Sequence, residues 1–316
     1  MAARESGRTM DSFSFGQALG AGFRVIGRKP LAVVIWAAVY LLLVALPALA
    51  MAAFVLPQTV AAYQQMAVHV GPPDPAQMMA LRSRTFGLQP AIWLLSVVAN
   101  TVVIAAIFRA VLEPQNGRWG YLRLSGRELW MGLTYLVILV MSLIMIFVLA
   151  LPVGIGAAVV AAVGEHGGST GGGAALLALV GLVGAGVIVW VLLRLSMALP
   201  MSFAQGRFLL YESWEVTRGH ALKIFLVFLV LWIGLAVVEA ALVSAVAFHF
   251  IPLFRHGTAW QTFTAASLTD TLRRLGPAIA GFVIVGSVVG MAVHAILFAP
   301  LAEIYRELTA EAQPPV

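Results

Sequence analysis

The sequence predicts an all-α integral membrane protein, with six transmembrane helices arranged as three hairpins, each preceded by a cytoplasmic amphipathic segment. Three observations carry this reading. The 316 residues are 61% hydrophobic and 10% charged, with a mean hydropathy of +0.98, whereas a soluble domain carries about 25% charged residues. The apolar residues fall in six long blocks, and about 20 apolar residues span the hydrocarbon core as a helix. The Lys and Arg residues gather on one side of those blocks.

The chain reads as one membrane domain over residues 1–316. Residues 1–29 are a cytoplasmic amphipathic N-terminal segment, 30–305 a six-helix bundle and 306–316 a short cytoplasmic tail. Met1–Lys29 lacks the short apolar core and small-residue cleavage site of a signal peptide. Ser14-x-x-Gln17 reads as a capping box, with Phe15, Leu19, Phe23 and Ile26 following at helical spacing. Arg24 and Arg28 lie off that stripe, so Met10–Arg28 is expected as a helix along the inner membrane surface.

The apolar blocks run over Leu31–Leu56, Leu88–Leu112, Leu129–Leu151, Ala174–Leu199, Ile224–Phe250 and Ala278–Glu303. The third continues to about Val163 through the Pro152–Gly156 break. That extension reads as a bent end rather than a seventh span, with an interfacial half-helix as the alternative. With the N-terminus inside, fourteen of the nineteen Lys and Arg residues lie in inner segments. The outer five are Arg82, Arg84, Arg255, Arg273 and Arg274. This is the positive-inside pattern, and it places both termini in the cytoplasm of a bacterial inner membrane. The abundance of Arg over Lys, with Ala, Val and Gly, is the compositional basis for a bacterial source.

Pro57–Gly87 forms the first outer loop, broken at Gly71-Pro72-Pro73-Asp74-Pro75 and flanked by short helices. The Gly-rich loop Gly164–Gly173 also lies outside. Ile251–Gly276 is the last outer loop and ends with Asp270, Arg273 and Arg274 at helical spacing. On the inner side, Arg207–Lys223 is expected as an interfacial helix anchored by Trp214, with Leu210 and Ala221 on the same face. A threefold repeat is visible in outline: Gly27-Arg28, Gly126-Arg127 and Gly219-His220 each precede a span, and Arg109, Arg194 and Arg306 each close a returning one. Pro114 and Pro200 soon follow the first two of these arginines.

Phe108-Arg109-Ala110-Val111-Leu112-Glu113-Pro114, Tyr121–Leu129 and Glu212-Ser213-Trp214-Glu215-Val216-Thr217-Arg218-Gly219-His220 resemble a group of uncharacterised alphaproteobacterial inner-membrane proteins. That group is similar to the membrane domain attached to some glycerophosphodiester phosphodiesterases. The resemblance implies a fold and a membrane address. It implies no phosphodiesterase activity, because this chain lacks the soluble domain and its acidic and histidine cluster.

Few residues carry chemistry. There is no cysteine, which excludes disulfides, thiolate metal sites and cysteine nucleophiles. Glu239 lies mid-span, where a charge costs about 2.5–3.5 kcal/mol on insertion scales. It should face other helices, be protonated, or face water. With His294, about 9 Å away in depth, and Asn100, it makes up the candidate intramembrane polar site; separate interhelical hydrogen bonds are the favoured reading of these three residues, and one shared polar cavity is the alternative. Arg28, Arg109, Arg127, Arg194, Arg218 and Trp214 are the candidate lipid-headgroup contacts. Gly286-x-x-x-Gly290 permits close helix packing. His69 with Met66, Met78 and Met79, and His249 with His256, fit no metal-ligand pattern, and no cofactor is expected. Basic residues confined to membrane-flanking loops argue against nucleic acid. The expected function is non-enzymatic, through contacts with membrane lipids or with a membrane-protein or homo-oligomeric partner. The alternative is a small transporter or channel using the polar site around Glu239.

Overall fold

Away from water, a helix satisfies its own backbone groups, and every regular element among the described residues of the computed structural model is helical. The structure describes residues 13–68, 76, 79, 83, 87, 89–115, 117–166, 168–255 and 265–310. The elements are α1 (Phe15–Arg28), α2 (Pro30–Tyr40), a π-helical turn (Leu41–Ala45), α3 (Leu46–Val68), α4 (Gln89–Leu112), a tight turn (Arg118–Tyr121), α5 (Gly126–Glu165), α6 (Gly171–Arg194), α7 (Ala198–Gln205), α8 (Glu212–Val216), α9 (Ala221–Arg255) and α10 (Ala265–Ala310). Among the described residues, six stretches are long and apolar enough to cross a membrane: Pro30–Ala61, Gln89–Leu112, Arg118–Glu165, Gly171–Gln205, Ala221–Ala241 and Ile279–Ala310. They overlap all six predicted blocks and fit a multi-pass membrane protein.

Two compact units form. One comprises Met1–Ala18, Leu124–Val227 and Leu301–Val316, the other Leu19–Arg123 and Phe228–Pro300. In the first, α5 and α6 pack antiparallel through small residues. A methyl added at Gly173, Gly156 or Gly184 would meet Val160, Leu177 or Leu149, at 2.7, 2.4 and 2.2 Å. The register continues to the end of α6, where Leu195, Ala198 and Leu210 pack with Val137, Ile138, Met141 and Val191. The N-terminal three turns of α5 thus run past the end of α6. They carry its buried residues Glu128, Met131 and Thr134, with the Thr134 and Ser202 hydroxyls 2.9 Å apart. Farther along, Ile144, Phe147, Val148, Leu151, Ile155 and Val159 are exposed. An apolar surface of that length suits lipid, not water.

In the second unit α1 buries Ala18's successors on the same face, namely Ala21, Gly22 and Val25. Small side chains let the backbone approach: a methyl at Gly22 would lie 2.4 Å from Ile296 Cα. The larger Phe23 is left 58% exposed. The π turn precedes Pro47, which has no N–H and crowds the carbonyl four residues back. Leu46 N–H instead bonds Leu41 O across the wider turn, which absorbs that crowding.

Several expectations change. The capping box at Ser14 is half present: Ser14 Oγ accepts from Gln17 N–H at 3.4 Å, while Ser14 N–H donates to the Glu307 carboxylate. α1 begins at Phe15; residues 10–12 lie outside the described residues. Arg207–Lys223 is not one helix. Gly206 ends α7 in a left-handed cap with φ 64, Gly219 turns the chain again at φ 85, and only α8 lies between. The extension past Pro152 is neither a seventh span nor a separate half-helix, because α5 runs as one helix from Gly126 to Glu165, packed against α6 on both sides of the proline. Helix over Pro57–Val68 and from Ala265 onward agrees with the helical flanks expected of the two outer loops, while α9 carries helix beyond the fifth apolar block to Arg255. His69, Gly71–Pro75, Met78, Arg82, Arg84 and His256 lie outside the described residues, as do the side chains of Met66, His249, Asp270, Arg273 and Arg274.

Candidate functional site

The apolar spans leave few polar side chains, and each must find a partner or face outward. α4 and α10 bring Asn100 and His294 together, with His294 Nε2 3.1 Å from Asn100 Oδ1 and Nδ1 2.9 Å from Gly290 O. The ring lies against Tyr40 and Phe298, with centroids 6.3 and 5.9 Å apart. A neutral imidazole with its hydrogen on Nδ1 is satisfied when the Asn100 carboxamide turns its NH2 toward Nε2.

Glu239 does not complete this group. It is exposed on α9 beside exposed Val238 and Ala240, and among the described residues it bonds to neither Asn100 nor His294. The expectation that it faces other helices is therefore corrected. In a helix apolar on all sides, depth is legible from the sequence but the direction faced is not.

The arginines divide. Arg28, Arg127 and Arg218 are exposed near helix ends, as surface contacts require. Arg109 is only 4% exposed, which corrects its reading as a headgroup contact. Its guanidinium donates to the Tyr121 carbonyl. That bond secures an unusual turn. Trp119, Gly120 and Tyr121 all adopt left-handed backbone, with φ 54, 64 and 67, at about 1–2 kcal/mol for each non-glycine residue. Trp36 Nε1 donates to Gly120 O at 2.7 Å, and Tyr121 Oη donates to Pro114 O at 3.0 Å. Gly120 is required twice over, since a methyl there would lie 3.1–3.3 Å from Ile35. The turn presents Trp119, 85% exposed, between exposed Arg118 and Arg123.

Arg194, the last residue of α6, lies beside two indoles that touch one another. Its Cζ is 5.7 Å from the Trp190 ring and 5.5 Å from that of Trp214, and the rings meet edge to face at 4.9 Å. The Ser213 hydroxyl donates to Arg194 O at 2.7 Å, with Thr217 Oγ1 3.4 Å from the same carbonyl. The Ser-Trp-x-x-Thr run is therefore a cap on α6. Sequence reasoning singled out that run and missed Trp190, although its i, i+4 spacing from Arg194 was the signal. It also missed the Ser125–Glu128 capping box, where Ser125 N–H donates to the Glu128 carboxylate at 2.7 Å.

No protein-family model, curated protein or solved structure matches the chain.

Proposed function

We propose that this chain is a non-enzymatic multi-pass protein of the bacterial inner membrane that acts through contacts with anionic lipids. In this reading both termini are cytoplasmic, and three hairpins are each led in by an amphipathic segment. The likeness to the membrane domain attached to some glycerophosphodiester phosphodiesterases belongs to the same proposal.

The observation that carries it is the strained turn at Trp119. Left-handed backbone at two non-glycine residues persists only where surroundings impose it. Here Trp36 and Arg109, both buried, impose it on a turn whose outer product is an exposed tryptophan between two arginines. Indole and guanidinium side by side suit the headgroup layer, where tryptophan concentrates and basic residues meet anionic lipid. The transport alternative has weaker support, since Asn100 and His294 bond to one another and Glu239 lies apart from them.

The test is lipid analysis of the protein extracted within native membrane discs. Phosphatidylglycerol and cardiolipin should be enriched over the surrounding membrane. An annular composition equal to the bulk would overturn the reading.

A further inference from the structure

Arginine at the last residue of a helix normally finds its compensation in the terminal carbonyls. At Arg194 three of those carbonyls are already engaged. Val191 O accepts from Leu195 N–H at 3.0 Å, and Leu193 O accepts from the Ser196 backbone N–H and hydroxyl at 3.3 and 2.7 Å. Arg194 O accepts from Ser213. Within the guanidinium, Nε and one terminal nitrogen are buried and have no hydrogen-bond partner among the described residues.

Magnitudes show that the two indoles do not compensate this alone. A cation over an aromatic face gains about 0.5–2 kcal/mol, whereas removing a charge from water costs several kcal/mol unless an opposite charge meets it. Among the described residues no carboxylate pairs with Arg194. The site is thus a fixed, partly desolvated cation, held by two rings and a capped helix end, and short of one anion.

We propose that Arg194, with Trp190 and Trp214, binds the phosphate oxyanion of a phospholipid headgroup. Guanidinium N–H groups pair with two phosphate oxygens in a forked geometry, and the two half-exposed indoles stand beside that pair. The inference rests on the lipid-contact reading for its source of phosphate, but its geometry would equally take a free phosphate monoester.

Native mass spectrometry of the full chain, loaded from phosphatidylglycerol micelles, tests it. The parent should retain one phosphatidylglycerol that Arg194→Gln loses, with affinity lowered about tenfold or more, as expected for a lost charged hydrogen bond. Arg207→Gln, an exposed arginine nearby in sequence, should retain it. A parallel titration with inorganic phosphate in lipid-free detergent separates the sources. Phosphate binding that depends on Arg194 without lipid retention would keep the oxyanion site and overturn the lipid reading. Lipid retention and phosphate binding both indifferent to Arg194→Gln would overturn the site while leaving general lipid enrichment untouched. Should that variant fail to melt like the parent, solid-state NMR of the parent decides. An arginine 15N signal in contact with labelled indole carbons should also be dephased by lipid or phosphate 31P. Indole contact without 31P contact would overturn the proposal.

Discussion

At the residue scale, the non-glycine left-handed backbone among the described residues falls in one place, the turn ending in Tyr121. Replacing Trp36 by phenylalanine keeps the ring but leaves the buried Gly120 carbonyl without its 2.7 Å donor, at a cost of about 1–3 kcal/mol. Trp36→Phe should therefore lower the thermal midpoint in detergent. Trp119→Gly should do the opposite, because glycine adopts positive φ freely and the lost indole is exposed. The same variant should lose the fluorescence quenching that lipids brominated near the headgroup cause at position 119. A lower midpoint for Trp119→Gly would mean that the turn is not strained. Much of this scale was hidden in the sequence. Asn100 and His294 were legible as residues needing an interhelical hydrogen bond, because amide and imidazole in apolar spans have few alternatives, but not as each other's partners. Glu239 was grouped with them by depth alone, and nothing in its uniformly apolar neighbours marked the side it faces. Arg109 and Arg194 look alike in sequence, each near a helix end. One is consumed inside the fold by a carbonyl that only chain folding brings near, and the other keeps unpartnered nitrogens.

At the element scale, close helix packing rests on glycines, and the neighbouring atom decides what each tolerates. A methyl at Gly22 would press on the Ile296 and Ala295 backbone, whereas at Gly184 it would press on the end of the Leu149 side chain, which can turn aside. Gly22→Ala should accordingly cost about 1–3 kcal/mol, the range for overpacking, and Gly184→Ala clearly less. Comparing their unfolding midpoints in the same detergent checks the ranking; equal losses would contradict it. Helix existence was readable in every apolar block, because length and hydropathy decide it. Helix ends were not. Pro152 looked like a break, yet α6 supports the helix on both sides of it. Arg207–Lys223 looked continuous, yet Gly206 and Gly219 cut it with positive φ. Glycine in an apolar chain serves both for packing and for turning, so its presence alone cannot say which.

At the scale of the whole molecule, the chain offers a direct experiment on topology. It contains no cysteine, so single cysteines can be introduced without removing any. With both termini cytoplasmic, a cysteine at Gly168 should react with an impermeant maleimide added to intact spheroplasts, and one at Arg207 only after lysis. The reverse pattern would invert the assignment. The path of α5 gives this arrangement a mechanical side. About 13 residues of the helix, roughly 20 Å, continue past the level of Arg194 without a break, and α7 packs on that length. Membrane helices commonly tilt by about 20°. Over roughly 20 Å of stiff helix, such a tilt displaces the tip sideways by about 7 Å. The N-terminal turns of α5 thus act as a lever arm, turning a small change of angle at the α5–α6 contact into a larger sideways displacement that carries α7 with it.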